Sequence, residues 1–249
     1  GLASFIDKHT ISIKKEDGST KLITAENVLI TSGSRPRYLP NIAIDEQIIM
    51  TSNGVKNLTE LPKSIVVLGA GVIGCEFATI FSNLGKTKVF LIDKADRILP
   101  FEDEDVAEVV SENLEKHGAV IHHGASLKRM EIKDGEVEYE LHYKDGKSEI
   151  FRVEKALVSV GRVPNIEDLN LEQVGIKLNE KGSIWDDDTQ TQTSNIYVAG
   201  DVTTDIALVN VGEREARHAV VRMFGPTIKP LSYQNISTIM FLNPEVASV

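Results

Sequence analysis

The chain has 249 residues, is 41% hydrophobic and carries a net charge of −10. That is enough apolar material for one large or two small domains, while the acidic balance argues against nucleic acid as a partner. No apolar run approaches the ~20 residues of a membrane span, no signal peptide is visible, and the single cysteine, Cys75, excludes an internal disulfide and points to a cytoplasmic location.

Residues 1–31 read as a β-meander. Short strands are expected at 3–6, 10–13, 21–24 and 28–30, with Asp17-Gly18 as a hairpin turn. TSGSRP follows at 31–36, and Pro36, Pro40 and Asn41 mark a linker-like crossing. One short helix is expected within 51–61, before Pro62.

The stretch 64–93, SIVVLGAGVIGCEFATIFSNLGKTKVFLID, carries the sharpest pattern. Residues 65–68 form a β-branched run suited to a strand buried on both faces. Gly69, Gly71 and Gly74 follow at G-x-G-x-x-G spacing. The first allows a tight turn, the second lets a pyrophosphate approach the backbone, and the third lets the next helix pack close to the strand. The spacing predicts a helix over 72–84, with Ile73, Phe77, Ile80 and Leu84 on one face and Gly85 as the stop. Its N-terminus offers free N–H groups to phosphate. A second strand at 89–92 ends at Asp93, 19 residues after Gly74, where a carboxylate can accept from the ribose hydroxyls of a dinucleotide. The alternative is a structural glycine turn in another kind of α/β unit.

Beyond Asp93, residues 103–117 predict an amphipathic helix with Val106, Val109, Val110 and Leu114 on one face. A third strand is expected at 119–122. Alternation at 130–132, 137–143 and 149–153, with turns at Asp134-Gly135 and Asp145-Gly146, predicts a three-stranded meander, and a buried strand at 156–160 leads to GRVPN. A loop with a short helix is expected at 165–181, a strand and turn at 182–188, and a buried strand at 196–199. A helix over 208–224 should hide Val211, Ala216, Ala219, Val220 and Met223, and a last strand is expected at 236–242. Cys75 reads as a small buried helix residue. His122 and His123 point to opposite faces of a strand, which argues against a metal site there. His9, His117, His142 and His218 read as surface or edge positions.

Four motifs occur in one order: TSGSRP at 31–36, GAGVIGCE at 69–76, GRVPN at 161–165 and IYVAGDV at 196–202, and the chain ends on FLNPEVASV. As a set they resemble the flavoprotein pyridine nucleotide–disulfide oxidoreductases, most closely the lipoamide dehydrogenases, with the soluble pyridine nucleotide transhydrogenases also similar. The resemblance implies an α/β fold: a Rossmann-like three-layer NAD-binding domain with a β-meander, flanked by pieces of a second Rossmann-like FAD domain. It implies the end of an FAD domain at 1–44, the NAD-binding domain at 45–164, a returning FAD segment at 165–232 and the first strand of a dimerisation domain at 233–249. The family's earlier FAD glycine turn, its C-x-x-x-x-C redox pair and its later HPxxxE base are absent from these 249 residues. No catalytic residue is therefore expected in the chain, which reads as a piece of a longer protein.

By the same resemblance, Gly69, Gly71 and Gly74 hold the NAD pyrophosphate, Val72 and Ile73 are also expected at the cofactor, and Asp93 holds the adenosine ribose. Val72 leaves the nicotinamide side of the turn open, Leu127 lies near adenine and Gly161 near the nicotinamide ribose. Asp93 favours NAD over NADP, with Lys94 and Arg97 near enough to soften the preference. Glu76 faces the site as an unpaired acid. Ser32, Gly33, Arg162, Gly200, Asp201, Ala207 and Leu208 are expected at FAD. The expected partners are a nicotinamide dinucleotide and, for the parent, a disulfide such as lipoamide. The parent is expected to be a homodimer and this chain a monomer.

Overall fold

The computed structural model describes residues 1–203, 206–226 and 228–249. Four helices are described, α1 (Ser52–Val55), α2 (Val72–Asn83), α3 (Glu104–Lys116) and α4 (Val209–Phe224). The chain divides into two units, 1–35 with 162–236, and 36–161 with 237–249.

The second unit is built on a five-stranded parallel sheet. Its strand order is Ile49–Met50, Lys155–Val158, Ser64–Leu68, Lys88–Ile92, Val120–His122. Alternation along Ser64–Leu68 assigns each face a layer. Ile65 and Val67 pack with Cys75, Ala78 and Phe81 of α2 and with Val110 and Leu114 of α3. Val66 and Leu68 pack with Met130, Val137, Tyr139 and Leu141 of an antiparallel meander made by Ala125–Lys133, Glu136–Tyr143 and Ser148–Val153. The result is the expected Rossmann-like arrangement of helices, parallel sheet and meander. Each large aliphatic side chain fully buried in such layers contributes about 1.5–3 kcal/mol.

Several expected faces are displaced. In α2, Ile80 and Leu84 are 49% and 52% exposed, and the buried residues are Gly74, Cys75, Ala78, Thr79, Phe81 and Ser82. The helix lies so close to the sheet that its small residues make the contact, and the bulky ones turn outward. In α3 the buried residues are Ala107, Val110 and Leu114, with Val109 exposed. The last strand is shorter than expected. Thr238–Met240 pairs antiparallel with Val246–Ser248, and Met240 and Leu242 are buried in the core of this unit.

Ion pairs tie the outer face of the meander across all three strands. The Glu138 carboxylate accepts from Lys133 Nζ at 2.6 Å, Arg129 Nη2 at 2.9 Å and Arg152 Nε at 3.1 Å. Lys133 first, then Arg129, hold its pKa down to about 2. Where the meander meets the sheet, His122 is buried among Phe90, Tyr139, Tyr143 and Phe151, with Nδ1 3.0 Å from Tyr143 Oη. Burial lowers its pKa from 6.5, against a weaker upward pull from Glu149. The fold thus prefers neutral His122, and its folded pKa lies below the unfolded one. The stability this supplies is complete above pH 6.5 and is lost as pH falls through the folded value. Urea unfolding of wild type and His122→Phe between pH 7 and about pH 5 should give a downward slope in stability for the former that is flatter in the latter. Equal slopes would contradict this.

In the first unit, Leu2–Asp7, Thr10–Lys14 and Thr20–Thr24 form a three-stranded antiparallel sheet. Val28–Ile30 is not its fourth member. It pairs parallel with Ile196–Val198, a partner that local alternation cannot reveal. Phe5, Ile30, Leu171, Val174, Ile184, Ile196 and Val198 form the core. The short helix expected in 165–181 is two 3-10 turns, Glu167–Leu169 and Leu171–Val174. The strand expected at 182–188 is reduced to the isolated bridges Leu178–Ile184 and Asp187–Gln190. On α4 the buried residues are Val211, Glu215 and Ala219, while Val220 is exposed. His218 is not a surface residue: its side chain is 8% exposed and Nε2 lies 2.8 Å from Asp188 Oδ1.

Candidate dinucleotide and flavin-side sites

In the second unit the strand order reverses beside Ser64–Leu68. Chain connections run from that strand through α2 and α3 to one side of the sheet, while Lys155–Val158 lies on its other side. In open α/β sheets, ligands bind at the carboxyl ends of the strands where this reversal occurs. The glycine turn occupies that end of Ser64–Leu68, and Gly161 follows Lys155–Val158 at the same end.

Each glycine of the turn has a distinct physical role. Gly69 has φ of 101°, and a Cβ there would stand 2.5 Å from the Ser159 carbonyl oxygen. A Cβ at Gly74 would stand 1.8 Å from the Gly69 carbonyl oxygen, so α2 can approach the strand only without one. Around Gly71 nothing lies within 4 Å of a Cβ position. That open space, at the N-cap of α2 where no side chain caps the helix, fits a diphosphate resting on backbone N–H groups. Val72 is exposed beside it and Ile73 is half-buried.

Asp93 is built into the same turn. Its Oδ2 accepts the Ala70 N–H at 2.5 Å and its Oδ1 the Ala95 N–H at 2.8 Å. Each oxygen keeps a second lone pair for a ribose hydroxyl. Lys94 is exposed. Arg97 is engaged elsewhere, donating to the Glu102 carbonyl at 2.8 Å and the Pro100 carbonyl at 3.4 Å. Leu127 is half-buried against the meander core, and the Gly161 carbonyl accepts the Arg37 N–H at 3.0 Å. Glu76 is not unpaired: its Oε1 accepts the Phe241 N–H at 3.0 Å, a contact made only by the folding back of the terminal hairpin. Cys75 is fully buried, and burial first, then the Asp93 charge, push its thiol up to about 12.

In the first unit, three motifs distant in sequence converge. Ser34 Oγ donates to Asp201 Oδ2 at 2.8 Å and accepts from Arg162 Nε at 2.7 Å, and Arg162 Nη2 donates to the Ser34 carbonyl at 2.8 Å. Ser32 Oγ donates to the Asn165 carbonyl at 2.6 Å, Asn165 Nδ2 returns a bond to the Ser32 carbonyl at 2.9 Å, and the Gly33 carbonyl accepts the Asn165 N–H at 2.9 Å. Leu208 is the N-cap of α4, which no side chain caps, and Ala207 precedes it. An uncapped helix N-terminus after the Gly200-Asp201 turn fits a ligand carrying negative charge. Among the described residues no cluster of His, Cys, Asp or Glu could hold a metal ion, and no helix is long and apolar enough to cross a membrane.

A G-x-G-x-x-G turn at the reversal point of a parallel sheet, closed by an acid at the next strand end, is the arrangement of the Rossmann-like class of α/β proteins. Residues 2–216 match the family "Pyridine nucleotide-disulphide oxidoreductase", and the chain belongs to it. It is 36% identical over 250 residues to the soluble pyridine nucleotide transhydrogenase of Colwellia psychrerythraea and 34% identical to the dihydrolipoyl dehydrogenase of Bacillus subtilis, covering 100% of this chain and 53% of each relative. Among solved structures, LpdA from Mycobacterium tuberculosis superposes with a TM-score of 0.91 at 31% identity, over 99% of this chain and 54% of that one. The HOCl-induced flavoprotein disulfide reductase RclA from Escherichia coli gives 0.87 at 27%, over 99% and 55%. The chain thus spans about half the length of the curated relatives it matches.

Proposed function

We propose that this chain carries the NAD(H) site and part of the FAD site of a flavoprotein that passes hydride between the nicotinamide and FAD, and onward to a disulfide such as lipoamide. The observation that carries the reading is the glycine turn at the sheet's reversal point, with open space at Gly71 and Asp93 bonded to the Ala70 N–H. Hydride transfer itself is the chemistry of the bound cofactors. The protein's share is to bind and orient them. The α2 N–H groups face the diphosphate, Asp93 accepts from the adenosine ribose, and the Ser34–Asp201–Arg162 cluster holds the turn that meets the flavin's hydroxyl-bearing chain.

A second reading is transfer between two nicotinamides through FAD. It is supported by the similarity to a soluble pyridine nucleotide transhydrogenase at 36% identity beside that to a dihydrolipoyl dehydrogenase at 34%. Anaerobic mixing of the full-length flavoprotein with NADH should bleach the flavin band. Reoxidation by lipoamide supports the first reading, and reoxidation by NADP⁺ alone supports the second. No bleaching overturns both. The isolated chain should bind NADH but reduce no disulfide, because its one thiol is buried and protonated.

A further inference from the structure

Glu215, on the buried stripe of α4, is 2% exposed. Its Oε2 accepts the Gly200 N–H at 2.6 Å and its Oε1 accepts the Tyr233 hydroxyl at 2.9 Å. An apolar residue here would continue the Val211–Ala219 stripe with no desolvation cost. A buried carboxyl is favourable only where the groups around it need an acceptor, and here one of them is the N–H of Gly200. The Gly200 carbonyl is also held, by the Thr203 N–H at 3.0 Å and Thr203 Oγ1 at 3.1 Å. The helix presses on the same point: a Cβ at Gly212 would stand 3.0 Å from the Gly200 Cα. Immediately after Gly200, Asp201 is held by Ser34. Glu215 and Ser34 therefore grip the two residues of this turn from opposite directions along the chain.

We propose that Glu215 is a positioning residue for the flavin. By fixing the Gly200 N–H from inside α4, it sets the direction in which the turn presents the Asp201 carboxylate. The role rests on the reading of Gly200-Asp201 as part of an FAD site. The charge of Glu215 is not what matters; the reach of its acceptor oxygen to Gly200 is.

The test uses the full-length protein, stripped of flavin and titrated with FAD by fluorescence, with NADH affinity measured in parallel. Glu215→Gln keeps a carbonyl oxygen for the Gly200 N–H and should hold FAD affinity within about threefold of wild type. Glu215→Asp keeps the acid but withdraws it by one methylene, and should weaken FAD about tenfold or more, as should Glu215→Ala. NADH affinity should be the same in all of them, which a general loss of folding would not allow. If the alanine variant does not fold, the Gln and Asp variants decide. FAD affinity of Glu215→Asp within about twofold of wild type, or Glu215→Gln as weak as Glu215→Asp, would overturn the proposal. Wild type that binds no FAD at all would overturn the flavin-site reading itself, along with this role.

Discussion

Gly74→Ala should cost the second unit both stability and nucleotide binding. The new methyl would stand 1.8 Å from the Gly69 carbonyl oxygen and 2.8 Å from Ser159 Oγ. Neither can yield cheaply. Ser159 Oγ donates to both the Leu68 and Gly69 carbonyls at 3.0 Å, so the backbone of the turn is pinned from behind. Helix α2 must move away from the sheet instead, which separates Cys75, Ala78 and Phe81 from Ile65 and Val67. Overpacking of this kind costs about 1–3 kcal/mol, and a backbone partner puts this case at the upper end. For a chain of this size, 3 kcal/mol lowers the melting temperature by about 6–12 °C. The N–H groups of α2 move with the helix, so NADH affinity should fall by about 100-fold. Gly71→Ala is the counterpart. Nothing lies within 4 Å of its Cβ, so it should melt like wild type and lose NADH affinity alone, because the methyl enters the space a diphosphate needs. Calorimetric melting and NADH titration of both variants check the pair. A Gly71→Ala protein that binds NADH normally would remove the diphosphate from that space.

Asp93→Ala should separate the two nicotinamide dinucleotides. Losing a charged acceptor for a ribose hydroxyl costs about 1.5–3 kcal/mol, which is about 10- to 150-fold in NADH affinity. The same change releases the Ala70 N–H and loosens the turn for any dinucleotide. For NADPH, that loosening is offset by removal of the repulsion between Asp93 and a 2′-phosphate. Lys94 is the cation left to gain from it, since Arg97 is bound to the Pro100 and Glu102 carbonyls. The ratio of NADPH to NADH affinity should therefore rise by about tenfold or more. Titration calorimetry of both nucleotides measures it. An equal loss for the two would leave Asp93 as the clamp of the turn and nothing more.

Local signals were enough wherever the physics is local. The glycine spacing, the hairpin turns at Asp134-Gly135 and Asp145-Gly146, and the uniform apolar run at 65–68 each depend on neighbours within a few residues. Those elements stand close to where they are expected, α2 included. Helix faces were less legible. Spacing picks the bulky residues, whereas close packing at a glycine turn selects the small ones, so Ile80 and Leu84 face outward while Gly74, Cys75 and Ala78 face inward.

What pairs with what lay beyond any local pattern. Val28–Ile30 has its parallel partner in Ile196–Val198, and Glu76 has its donor in Phe241. Ser32 meets Asn165, and Ser34 meets both Arg162 and Asp201. Glu215 carries no sequence signal. It is one more glutamate on an acidic chain until the fold buries it beside the Gly200 N–H. The sequence by itself determined the glycine turn and the α/β class, because a tight turn, a close helix approach and an alternating strand are set by side-chain size over a few residues. The tertiary structure alone decided which partner each of these polar groups bonds, because a hydrogen-bond partner 15 to 167 residues away is fixed only when the chain has closed on itself.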